Sequence, residues 1–195
     1  MASTVVIDMK RQDFGEDCPQ KGGSAADGLI SEEPEAILYH PKVIWRPRLA
    51  DTTASDPLGR NPWSRGLRYI LEARGDREGV CGVTVVVDEM LWAAPVERVS
   101  SWIQLLVCTG MGLGVGMWGA TQRPVRVYRN WFSESIWTVS FRLRLKDDRQ
   151  RIEDELGVGC DLLRDLAPAA AGRSGHYVVY RQCDEGWRGP FFGGG

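Results

Sequence analysis

Val85-Val86-Val87-Asp88-Glu89 decides the fold of this 195-residue chain. The run from Val83 to Val87 is β-branched throughout and too short for a helix, which is how a strand buried on both faces of a parallel sheet reads. It closes in two acids. In α/β sheets, ligands bind outside the carboxyl ends of the strands, so this strand delivers two carboxylates together where a site is expected. Working outward, Thr4 to Ile7 is a similar run that ends in Asp8, and Val43 to Trp45 adds a strand before Pro47. Trp63, Leu67, Ile70 and Leu71 recur at helical spacing ahead of Gly75, so residues 63–73 predict a helix. Pro95 to Val107 predicts another, with Pro95 in its first turn. Gly114 to Ala120 reads as a third buried strand and Ile136 to Leu145 as a fourth, alternating Trp137, Val139, Phe141, Leu143 and Leu145 on one face. A helix from Asp147 carries Ile152 and Leu156 and stops at Gly157, Leu162 to Leu166 makes a further turn or two, and Tyr177 to Tyr180 is a last strand. Strands separated by helices give an α/β fold with a mostly parallel sheet.

Composition narrows the class. Hydrophobic residues make up 43% and charged residues 26%, the balance of an ordinary globular domain. Twenty-four Lys and Arg against 26 Asp and Glu leave a net charge of -2, so the whole chain is no polybasic nucleic-acid binder. The charge is nevertheless segregated: residues 122–151 hold eight bases and three acids, and residues 1–40 hold three bases and eight acids. Residues 11–28 read as a solvated acidic loop. Five dispersed cysteines without a C-x-x-C pair, and only His40 and His176 beside them, exclude a disulfide framework and give no zinc spacing. No signal-peptide pattern opens the chain, and a reducing cytoplasm is the expected compartment. Val99 to Gln122 is 24 residues without a charge, long enough to span a bilayer, but Gly110, Gly112, Gly114, Gly116 and Gly119 each cost a helix interior about 1 kcal/mol relative to Ala. The segment therefore reads as helix, turn and strand, with no membrane partner.

Adjacent carboxylates at a strand exit suit a nucleoside triphosphatase: Asp88 would serve Mg2+ through its waters and Glu89 would orient and deprotonate water. Taken alone the pair is equally what any strand exit presents. Thr121-Gln122-Arg123-Pro124 leaves the next apolar strand, where an amide at Gln122 suits a γ-phosphate sensor. Alone it is an ordinary turn; with the acidic pair and the intervening helix the functional reading gains. Gly110 to Gly116 leaves a helix and enters a strand, the reverse of a phosphate-cradling loop, and is expected to cap and pack.

Together, Thr4-Val5-Val6-Ile7-Asp8-Met9-Lys10, Val85-Val86-Val87-Asp88-Glu89, Gly114 to Pro124 and Val139-Ser140-Phe141-Arg142-Leu143 resemble the post-P-loop part of the FtsK/HerA-type ATPases that pump DNA, over roughly residues 3–181. The resemblance implies an incomplete RecA-like three-layer sandwich over residues 1–182, beginning after the P-loop helix, with 183–195 as a flexible Gly-rich tail. It implies that Asp8-x-Lys10 ends the first strand after that helix, and that Asp88-Glu89 is Walker B. It also implies Mg2+ on Asp88 through water, water activation by Glu89, γ-phosphate sensing by Gln122, and Thr121 and Arg123 beside the nucleotide. ATP, DNA, and a P-loop-bearing chain or homo-oligomeric ring are the implied cofactor and partners.

Two departures follow. Met111 stands where family members commonly carry an Arg after the helix-ending glycine. Lys10, Lys21, Lys42 and Lys146 follow Met, Gln, Pro and Leu, so the chain contains no Gly-Lys and no Walker A motif. By the same resemblance the central strand between the sensor strand and the Phe-Arg-Leu strand is also absent. Without phosphate-cradling amides and their lysine, the chain is not expected to hydrolyse ATP alone. The alternatives are a catalytically inactive interaction or assembly module with a degenerate NTPase fold, and a metal-dependent nuclease built on Asp8 and Lys10. The basic residues Arg123, Arg126, Arg129, Arg142, Arg144, Lys146, Arg149 and Arg151 suit DNA or a solvated face, the latter favoured. Trp131 and Trp137 are expected to pack in the core.

Overall fold

The structure is a computed structural model that describes residues 3–10, 28–53, 56, 58–71, 82–157, 161–167, 175–183 and 186–193. The acidic loop predicted for residues 11–28 falls almost wholly outside them. The chain divides into two compact units, Met1–Gln122 and Arg123–Gly195.

The first unit is built on a five-stranded parallel sheet. Its strands are β1 (Ser3–Asp8), β2 (Leu29–Ser31), β3 (Lys42–Trp45), β4 (Val83–Asp88) and β5 (Val115–Gly119), in the spatial order β2-β3-β1-β4-β5. Alternation along the strands sends Val5, Ile7, Val43, Trp45, Val83, Val85, Val87 and Val115 into the core, each at most 2% exposed. Helices α1 (Ala36–Tyr39), α2 (Leu49–Thr53), α3 (Pro62–Arg68), α4 (Met90–Ala93) and α5 (Ser101–Thr109) accompany the sheet. Asn61 caps α3 by accepting from the Ser64 amide, with Pro62 in the first turn. On that helix Trp63 stacks on Trp45, centroids 5.5 Å apart, and Gly66 faces the same indole. Only a glycine leaves room there.

The helix predicted from Pro95 begins later, at Ser101, because Ser100 accepts from the Trp102 amide and fixes the start. The uncharged run to Gln122 is α5, a 3-10 turn and β5, as its glycines require, and among the described residues no helix is long and apolar enough to cross a membrane. Gly114 ends the 3-10 turn at φ 75°, the left-handed geometry that favours glycine, and its carbonyl lies against the Cα of Gly82. The glycines therefore cap and pack. β5 was expected to be buried, but it is an edge strand with Trp118 62% exposed.

The second unit holds an antiparallel sheet of β6 (Trp137–Ser140), β7 (Tyr177–Cys183) and β8 (Gly186–Gly193), in that order. With it go α6 (Asn130–Ser133), α7 (Lys146–Leu156) and α8 (Leu162–Asp165). Val178 and Tyr180 of β7, Leu163 of α8, and Ile152 and Leu156 of α7 form its core. Gly157 stops α7 at φ 63°. Three expectations are corrected here. The strand predicted over 136–145 covers only 137–140 and pairs with β7, not within the parallel sheet. The expected flexible tail contains β8, which pairs with β7 from Tyr177↔Gly193 to Cys183↔Gly186, so ladder hydrogen bonds hold what composition alone leaves loose. Trp131 is buried as expected, but Trp137 is 49% exposed under the guanidinium of Arg181.

Candidate active site at the carboxyl edge of the parallel sheet

The register of the sheet brings the strand exits together. Asp8 pairs with Asp88 across β1 and β4, Ile7 with Trp45 across β1 and β3, and Val87 with Gly119 across β4 and β5. The residues at or just beyond those ends, Asp8, Lys10, Arg46, Asp88, Glu89, Thr121 and Gln122, therefore gather along one edge.

Beyond the last strand pair the ladder is irregular. The Ala120 amide donates to the Val87 carbonyl at 3.0 Å, and the Ala120 carbonyl accepts from the Met90 amide at 2.8 Å. In a regular parallel ladder that second donor is Glu89, two residues after Val87. One residue is thus extruded, as in a β-bulge, which re-aims a side chain beside functional sites. The consequence is visible in the backbone: Glu89 adopts φ 65° and ψ 80°, the one non-glycine with positive φ among the described residues. Such strain costs about 1–3 kcal/mol and persists where surrounding structure enforces it.

The turned side chain is held on both oxygens. Glu89 Oε1 accepts from Thr121 Oγ1 at 2.9 Å and, at 3.4 Å, from the Gln122 amide. Glu89 Oε2 lies 3.2 Å from Lys10 Nζ, which also stands 3.9 Å from Asp88 Oδ1. Asp88 Oδ2 is buried and has no hydrogen-bond partner among the described residues. A buried, unsatisfied carboxylate oxygen is costly. Beside this group, Asp8 is fully buried and accepts from Arg46 Nε at 2.8 Å.

Of the residues singled out in the sequence, Asp88, Glu89 and Thr121 meet directly. Gln122 reaches Glu89 through its main-chain amide, and its side chain is exposed. Arg123 belongs to the second unit, where its Nε pairs with Asp148 Oδ2 at 3.0 Å, alongside the Val125 amide on Oδ1. Much of the basic segment is used the same way. Arg129 and Arg151 pair with Glu155, Arg149 donates to the carbonyls of Leu143 and Arg144, and Arg142 donates to that of Arg164.

Sequence reasoning missed two members. Arg46 was overlooked, although a charge directly after the apolar strand Val43 to Trp45 carries the same strand-exit signal as Asp8. Lys10 was weighed only with Asp8, yet the two face different partners. Asp8 is neutralised by Arg46, which leaves the nuclease reading without the open carboxylate it needs.

A parallel α/β sheet with two adjacent acids leaving an inner strand has the fold of a P-loop-type nucleoside triphosphatase. Solved structures with this fold include the genome packaging NTPase B204 from Sulfolobus turreted icosahedral virus 2. Its complex with AMPPCP gives a TM-score of 0.64 at 12% identity, covering 97% of this chain and 83% of that one. Its complex with AMP gives 0.63 at 13% identity, covering 99% and 81%. B204 of Sulfolobus turreted icosahedral virus, a DNA-packaging ATPase, gives 0.61 at 12% identity, covering 97% and 83%. No protein-family model and no curated protein matches the sequence.

Proposed function

We propose that this chain is the water-activating portion of a DNA-translocating ATPase of the FtsK/HerA type, with Asp88-Glu89 as its Walker B pair and Thr121-Gln122 as its sensor. The observation that carries the reading is the carboxylate pair itself: Glu89, re-aimed by an extruded residue, is gripped at 2.9 Å by Thr121 from the neighbouring strand exit. Asp88 fits a divalent cation, because its buried Oδ2 lacks a partner among the described residues and hard oxygen ligands suit Mg2+. Bound there, the cation would offset developing charge on phosphate oxygens. Glu89 holds the complementary role. Thr121 and the Gln122 amide fix Oε1, which leaves Oε2 as the atom that accepts a proton from water. Gln122 is exposed beside it, and its side-chain carboxamide would turn toward the γ-phosphate.

The triphosphate itself does not fit these residues. The chain has no Gly-Lys pair, the sequence that supplies the ammonium and the nest of amides holding β- and γ-phosphates. In this proposal that grip comes from outside these 195 residues, as further sequence of the same polypeptide or as another chain. The edge of β5 supports a strand being added there. Val115–Gly119 bears no charge, and Trp118 stands exposed, whereas isolated edges are normally blunted by charge or proline. DNA is the proposed substrate by likeness to the packaging ATPase, and a ring of copies the proposed assembly.

Phosphate release by the purified chain with ATP, Mg2+ and DNA tests this. The expected rate is background, rising when a P-loop-bearing segment is supplied and lost again in Glu89→Gln. Release by the chain alone that Glu89→Gln abolishes overturns the split-site reading. Partner binding with no turnover under any supplementation favours an assembly module instead.

A further inference from the structure

Resting on the metal role proposed for Asp88, the geometry points to Lys10 as a positioning residue. Its ammonium supplies the positive charge between the two acids and must leave when a divalent cation binds Asp88.

Among the described residues, three carboxylates converge at this edge, Asp8, Asp88 and Glu89, against two cations, Arg46 and Lys10. Arg46 is committed to Asp8 at 2.8 Å. Among the described residues Lys10 alone faces the other pair, 3.2 Å from Glu89 Oε2 and 3.9 Å from Asp88 Oδ1. It therefore occupies the space between the two acids, and it covers the Glu89 oxygen that Thr121 and Gln122 leave open. The residue type suits a removable counter-ion: an ammonium is a compact charge on a flexible stem, where a guanidinium would grip in a fixed fork. The Lys10 side chain is 24% exposed, so a path to water is open. Asp88 Oδ2, unpartnered among the described residues, is the oxygen the lysine does not serve. A divalent cation reaching it brings positive charge close to Lys10 and expels it. The same exchange frees Glu89 Oε2. Water activation is thereby coupled to metal loading, and the acids stay quenched until then.

Mn2+ is titrated into the full chain and free Mn2+ followed by electron paramagnetic resonance, for wild type, Lys10→Met, Lys10→Arg and Asp88→Asn. Removing one positive charge about 4 Å from the acids in a partly solvated site is expected to tighten Mn2+ binding about tenfold or more in Lys10→Met. Lys10→Arg should bind like wild type or more weakly, and Asp88→Asn should lose binding. A lysine with a merely structural role would not tighten metal affinity when removed. As a check that needs no variant, acetylation of Lys10 in the wild-type chain, read by mass spectrometry, should accelerate when Mn2+ is added. Unchanged or weaker affinity in Lys10→Met, or a Lys10 acetylation rate indifferent to Mn2+, overturns the role of Lys10 while leaving Asp88 as the metal residue. Failure of both wild type and Lys10→Met to bind Mn2+ overturns the metal role as well.

Discussion

Gly66→Ala tests whether α3 is seated on the sheet as described. A Cβ at this position would meet the Trp45 ring at 2.2, 2.5 and 2.7 Å, all well inside the 3.4 Å where ordinary contact begins. The ring cannot give way cheaply. Trp45 is fully buried and stacked on Trp63, itself 1% exposed, so both indoles are boxed in. Either α3 lifts from the sheet or the stack breaks. Overpacking of this kind costs about 1–3 kcal/mol. Against it stands the helix preference for Ala over Gly, about 1 kcal/mol at an interior position. The clash should win by up to about 2 kcal/mol. Gly112→Ala is the internal control, since a Cβ there meets nothing within 4 Å. Urea unfolding followed by tryptophan fluorescence compares the midpoints. Gly66→Ala should shift to lower urea and Gly112→Ala should stay near wild type. A Gly66→Ala protein as stable as wild type would refute the seating of α3 on Trp45.

Asp8→Asn should destabilise the first unit by about 2–3 kcal/mol in the same assay, because it removes the negative charge from a buried pair in which Arg46 Nε stands 2.8 Å from Asp8. An unchanged midpoint would show that the pair is not formed. Thr121→Val keeps the side chain's shape but removes the donor to Glu89, a bond to a charged acceptor, and should lower stability by about 1–2 kcal/mol by thermal unfolding. Equal stability would mean that Glu89 is held by other groups.

Much of the first unit was legible from local pattern. The runs ending at Asp8 and Asp88 are strands because apolar, β-branched segments bounded by charge or glycine have few other ways to fold, and the glycines of Val115 to Gly119 count against a helix there. Placing those strand ends side by side led to Gln122 near Glu89, whereas the hydrogen bond from Thr121 to Glu89 was not legible in the sequence. Less was legible after Arg123. There Phe141 to Leu145 continues the alternation of a strand, but the backbone of Leu143 donates to the Leu163 carbonyl and leaves the ladder. Glycines at 186, 189 and 193 resemble a loose end, yet β7 supplies the hydrogen bonds that make them strand.

The sequence by itself determined which segments are strands, which charges leave them, and that no phosphate-gripping lysine follows a glycine, because each is a property of neighbouring residues. The tertiary structure alone decided which exits face one another. The parallel register carries Lys10 to Glu89 and Arg46 to Asp8, and one extra residue between Val87 and Met90 turns Glu89 toward Thr121. Those encounters join groups far apart in the chain, and hydrogen-bond register between strands sets them.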